Sequence, residues 1–113
     1  MSTATSGRAR EYRVRDHLIG LGWEPIFRAA GSKGPADIGM ASPLRGLLLI
    51  QVGSGGKTLG PADRERLHRA AWMCGAIPIL ATVHKGKITY REVTLDKPSQ
   101  WPDWEPTIFK EKK

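Results

Sequence analysis

The sequence predicts a mixed α/β fold, a central sheet flanked by helices in the order αβββαββ. Three observations predict it. Leu47 to Val52, "LLLIQV", is a nearly unbroken apolar run, the mark of a strand buried on both faces. Two segments, one on each side of that run in the chain, repeat apolar residues at helical spacing. A stretch near the end, "ITYREV", alternates apolar and polar residues as a half-buried strand does.

The elements follow in order. From about Gly7 to Leu21 the spacing predicts a helix, with Val14, Leu18 and Leu21 on one face and Gly22 as its stop. Residues 1–6 are small and polar and are expected to be disordered. "WEPIFRAA" reads as a strand, and Pro25 confines it to a sheet edge because it lacks a ladder donor. "GSKGP" is a loop, "ADIGMAS" a short strand, and "PLRG" a turn before the central strand. Pro61 suits the first turn of a second helix running to Cys74. Leu67, Ala70, Ala71 and Cys74 form its apolar stripe, and Gly75 terminates it. "AIPILATV" is a strand, "HKGK" a turn, and "ITYREV" the returning strand. Residues 95–113 carry Trp101, Trp104 and three prolines and read as an irregular tail ending in a mobile "KEKK". With no repeat and no dividing linker, residues 1–113 read as one domain.

Composition narrows the function. The chain has 113 residues, a net charge of +7 and a pI near 10.0, which suits a polyanionic partner, nucleic acid first. Cys74 is the only cysteine, so an intrachain disulfide and a cysteine-rich zinc site are excluded. The start, "MSTATSGRAR", lacks the apolar core of a signal peptide, and no apolar run is long enough to span a bilayer. A cytoplasmic protein without a membrane partner is expected. His17, His68 and His84 show no metal-ligand spacing and read as surface or capping residues.

The segment "LLLIQVGSGGKT" invites two readings. A phosphate-binding loop requires G-x-x-x-x-G-K-[ST] with a helix starting at the lysine. Gly56-Lys57-Thr58 supplies the end, but the first glycine position holds Gln51, and Gly60-Pro61 follows too soon for a helix beginning at Thr58. A nucleotide cofactor is therefore not expected.

The second reading is a metal-dependent nuclease. Glu11 precedes Val14 by three residues and Leu18 by seven, which places a carboxylate on the apolar face of the first helix. It is there for a ligand, for an ion pair with Arg8, Arg10, Arg13 or Arg15, or because the helix start is exposed. Asp37 follows a glycine-proline loop, as a turn residue or as a ligand at the edge of a site. Gln51, near the end of the apolar strand, needs a partner or a ligand, and position 53 shares its face. Phosphodiester hydrolysis needs a divalent metal on hard oxygen ligands, with a further group to stabilise charge or position water.

On "GRAREYRVRDHLIGLGW", "RAAGSKGPADI", "LLLIQV" and "GAIPILATVHKGKITYREV", the chain resembles the archaeal-type Holliday junction resolvases and their phage-borne relatives, of the PD-(D/E)XK nuclease superfamily. The resemblance covers about Gly7 to Val93. It implies a restriction-endonuclease-like fold and a Mg²⁺-dependent endonuclease, with Mn²⁺ as a substitute. It also implies branched DNA as substrate, a homodimer, and roles in recombination and repair in the cytoplasm of a phage's host. By position, Glu11 and Asp37 match metal-site carboxylates, Gln51 stands in the strand carboxylate's place, and Val52 offers its carbonyl. Ser32 matches a loop serine near the scissile phosphate, and Arg10 and Lys33 suit backbone phosphates. The family places a lysine where this chain has Gly53. Lys57 either reaches back into the site across "GSGG" or contacts the DNA backbone. Arg8, Arg13 and Arg64 add helix-borne charge for phosphate contact. The alternative is a binding protein of the same fold that holds branched or duplex DNA but cuts poorly. Trp72, Trp101 and Trp104 are expected to pack on the core or at a dimer interface.

Overall fold

The computed structural model describes residues 3–29 and 34–107. Helix α1 runs Thr3–Gly20, followed by strands β1 (Glu24–Arg28), β2 (Ile38–Ser42) and β3 (Gly46–Ser54). Helix α2 (Pro61–Cys74) leads to β4 (Ala76–His84) and β5 (Lys87–Glu92), and a 3₁₀ turn covers Pro98–Gln100. The predicted order αβββαββ is the observed one. Helix α1 starts at Thr3 rather than Gly7, so residues 3–6 belong to the helix. Helix α2 has the predicted bounds: Pro61 sits in its first turn, and Gly75, at φ 72°, closes it with its N–H on the carbonyls of Ala71 and Trp72.

The strands lie in the order β1-β2-β3-β4-β5, so "LLLIQV" is central. All neighbours are antiparallel except β3 and β4, which are parallel and joined across the sheet by α2. Both faces of β3 are covered. Leu48 and Ile50 join Val14 and Leu18 of α1 in one core cluster, while Leu49 joins Leu67 and Ala71 of α2 in the other. That explains why β3 reads as continuous rather than alternating. Strand β1 is an edge, as Pro25 predicted, and its register shifts between Pro25 and Phe27.

One packing expectation changes, and for Trp72 the core alternative falls away. Cys74 is exposed, because α2's stripe is buried only at Leu67 and Ala71. Trp72 is exposed as well, at 77%. The segment after β5 is irregular but fixed along the outer edge of β5. The Glu92 N–H donates to the Pro102 carbonyl (3.0 Å), and the Trp104 N–H to the Tyr90 carbonyl (2.9 Å). These bonds occupy the edge groups of β5 that would otherwise stand open. Trp101 is buried in the α2-side cluster, and Trp104 packs against the α1-side cluster. The Trp23 Nε1–H donates to the Pro106 carbonyl at 2.7 Å, tying this segment to the end of α1. Residues 108–113, and with them the "KEKK" end, lie outside the described residues.

Candidate active site

Asp37 stands at the entrance to β2, where three strands hold it. Its N–H donates to the Ile50 carbonyl and its carbonyl accepts from the Ala29 N–H, both at 2.8 Å. Its carboxylate Oδ2 accepts the Val52 N–H at 2.9 Å. The side chain is buried, so the loop before it delivers a carboxylate directly to the end of the central strand.

Gln51 lies on the α2 side of β3, two residues beyond Leu49. Its Nε2 donates to the Pro35 carbonyl at 2.7 Å. A glutamine amide has one acceptor oxygen and one donor group. With the donor committed to the loop, Oε1 remains for a ligand. A cavity of about 190 Å³ opens here, with Asp37, Gln51 and Val52 on one wall and Lys57, Asp63 and Arg66 on another. Asp63 and Arg66 come from the first turns of α2. Neither was placed at the site from sequence, although an Asp-x-x-Arg pair at a helix start following the central strand was a usable signal.

Glu11 is buried on α1, yet it does not line this cavity. Its Oε1 lies 3.1 Å from the Arg28 Nε of β1, so its partner is none of the helix arginines considered above. Arg28 also lies over the Tyr12 ring. Burial pushes the Glu11 carboxyl above its ordinary range, the negative charge of Asp37 adds to that push, and Arg28 opposes it. Two buried carboxylates thus repel one another across the end of the sheet, an arrangement that a cation between them would relieve. The cavity itself offers the Asp37 and Asp63 carboxylates, the Gln51 amide oxygen and the Val52 main-chain carbonyl, with the Glu11 carboxylate outside it. These are hard oxygen ligands of the kind Mg²⁺ takes while keeping several waters. No group of three or more His, Cys, Asp or Glu side chains able to hold a metal occurs among the described residues. Any metal here depends on Gln51 and main chain as well as carboxylates.

Gly53 explains the position of Lys57. A Cβ at residue 53 would lie 2.6 Å from the Lys57 Cβ and 2.8 Å from its Cδ, closer than real contacts allow. The lysine stem therefore rests where a side chain on residue 53 would begin. A turn brings it there, with the Lys57 N–H on the Ser54 carbonyl (3.0 Å) and Gly56 at φ 84°.

The remaining predicted residues divide. Ser32 and Lys33 lie outside the described residues. Arg8 is exposed and Arg10 half-buried on α1. Arg13 donates to the Gly86 carbonyl (3.1 Å), which ties α1 to the β4–β5 turn. Arg64 donates to the Asp96 carbonyl (2.8 Å), a contact within the protein. His17 contacts the Tyr90 hydroxyl at 2.7 Å. Among the described residues, no helix is long and apolar enough to cross a membrane.

The sheet order, the single parallel pair and the two covering helices define an α/β fold of the kind found in a nuclease of the resolvase type. One solved structure that shares it is Hjc from Archaeoglobus fulgidus, a Holliday junction resolvase from an archaeal hyperthermophile. The likeness has a TM-score of 0.68 and 22% identity and spans 85% of this chain and 84% of that one. At that identity the likeness is one of fold. No family model matches the chain, nor does any curated protein.

Proposed function

We propose that this protein is a divalent-metal-dependent, structure-selective DNA endonuclease that resolves Holliday junctions and other branched DNA. The observation that carries the reading is the convergence of Asp37, Gln51, Val52 and Lys57 on one cavity at the end of the central strand. The resolvase-like fold and the charge of +7 support it.

In this reading Asp37, Gln51 through Oε1, the Val52 carbonyl and Glu11 hold Mg²⁺, with Mn²⁺ as a substitute. Bound there, the metal supplies an activated water and charge stabilisation at the leaving oxygen. Lys57 supplies the positive charge that position 53 lacks, steadying the negative charge that develops on the phosphoryl oxygens. Ser32 acts near the scissile phosphate. Arg8, Arg10, Arg13, Lys33 and Arg64 hold backbone phosphates, which positions DNA without reading sequence. Exposed Trp72 and Met73 offer apolar surface for a second copy, and a two-fold dimer suits paired nicks across a four-way junction. The alternative, a binder that does not cut, rests on Gly53, and the Lys57 stem lying over Gly53 weighs against it.

Labelled four-way junction incubated with Mg²⁺ and run on native and denaturing gels tests the reading. The wild type is expected to shift the junction and nick it symmetrically. Asp37→Asn is expected to shift it without nicking. Full cutting by Asp37→Asn would remove this site, and a shift without nicks by the wild type would leave only the binder.

A further inference from the structure

The sheet face that carries Gln51 and Gly53 continues across two more strands. Gln51 is in register with Leu80, and Leu80 with Arg91. Gly53 is in register with Thr82, and Thr82 with Thr89. Partners in register share a face, so Thr82, Thr89 and Arg91 form a band beside the candidate active site, with Arg91 and Thr89 about 10 Å from its strand. A second cavity of about 210 Å³ lies over this band, lined by Lys57, Thr58, Thr82, Thr89 and Arg91, with Trp101 as a wall. Lys57 lines both cavities, and no carboxylate lines the second.

The chemistry of the band suits an anion. The Thr82 and Thr89 hydroxyls are hydrogen-bonded to each other. Two hydroxyls carry two hydrogens and their mutual bond uses one, so one O–H remains to donate outward. Arg91 is held by the Pro98 carbonyl (Nη1, 3.2 Å) and stands 3.9 Å from the almost fully exposed Asp103 carboxylate. A guanidinium carries five N–H donors, so several remain for a ligand.

We propose that this second cavity binds another backbone phosphate of the DNA strand whose scissile phosphate lies at Asp37 and Gln51, with Lys57 between the two. The inference rests on the DNA reading above. It makes the sheet face from β3 to β5 the path of the strand and assigns Thr82, Thr89 and Arg91 as phosphate-binding residues.

Junction binding measured without metal across a salt series, on wild type, Arg91→Gln, Arg91→Lys and Thr82→Val, tests it, with thermal melting to confirm folding. Arg91→Gln is expected to weaken binding about ten-fold and to reduce the salt slope by about 1. Arg91→Lys restores the slope. Thr82→Val, which a strand tolerates, weakens binding a few-fold and leaves the slope unchanged. That uncharged arm separates a built site from general attraction by positive charge. Wild-type binding with unaltered affinity in both Arg91→Gln and Thr82→Val overturns this subsite and leaves the nuclease reading standing. Failure of the wild type to bind DNA overturns the nuclease reading itself.

Discussion

Gly53 and Lys57 behave as one unit. A side chain at 53 and the observed path of Lys57 exclude each other, because a new Cβ would strike the lysine's Cβ and Cδ rather than its mobile tip. Lys57→Ala is expected to slow nicking by about 10²–10³-fold, the usual cost of removing one group that stabilises developing charge. Gly53→Lys in a Lys57→Gly background is expected to regain part of that rate, since loss of the whole Lys57 side chain, Cβ included, removes the collision. Single-turnover nicking rates check both, and an unchanged rate in Lys57→Ala would take Lys57 out of the chemistry. Glu11 makes a second prediction through pH. A carboxyl raised in the folded state stabilises the fold fully below its ordinary value of 4.5, and that contribution is lost as pH climbs through the raised value. Glu11→Gln is therefore expected to match the wild type in acid and to melt higher at neutral pH without metal. Millimolar Mg²⁺ should raise the wild-type melting temperature at neutral pH and leave that of Glu11→Gln unchanged. Melting curves across pH, with and without Mg²⁺, check both halves.

At the scale of elements, what was legible had a local cause. Strand β3 announced itself because both faces are buried, and α2 because Pro61 and Gly75 bracket it. Cys74 was misplaced because periodicity fixes a residue's angle on a helix, not whether the sheet extends beneath it. The early start of α1 was missed because the small polar residues 1–6 read as disordered and carry no apolar periodicity, although Ser2 before Thr3 is a capping type. The segment after β5 was the largest gap. It has no period to read, and its order comes from main-chain bonds to β5 and from two tryptophans reaching separate clusters. Trp101→Ala is accordingly expected to destabilise the protein by about 3–5 kcal/mol, the usual range for truncating a buried tryptophan. Chemical denaturation checks it, and a loss below about 1 kcal/mol would show that the segment adds little to the core.

For the whole molecule, the sequence singled out two residues that line the candidate cavity, Asp37 and Gln51, but not what surrounds them. Asp37 and Gln51 were readable because each is a polar group at a position where burial demands a reason. Arg28 and Arg91 were not, since each arrives from another element and only the assembled register brings it near, while Asp63 and Arg66 left a signal at the start of α2 that went unread. Net charge pointed to a polyanion without saying which face would meet it. The bond from Trp23 to the Pro106 carbonyl has a bearing on synthesis. Chains emerge from the ribosome in order, and early segments begin to fold first. Here Trp23 has a partner that is made 83 residues later. The α1 side of the core therefore lacks this contact until residue 106 has been added, and a nascent chain halted before that point leaves the Trp23 indole N–H without its partner.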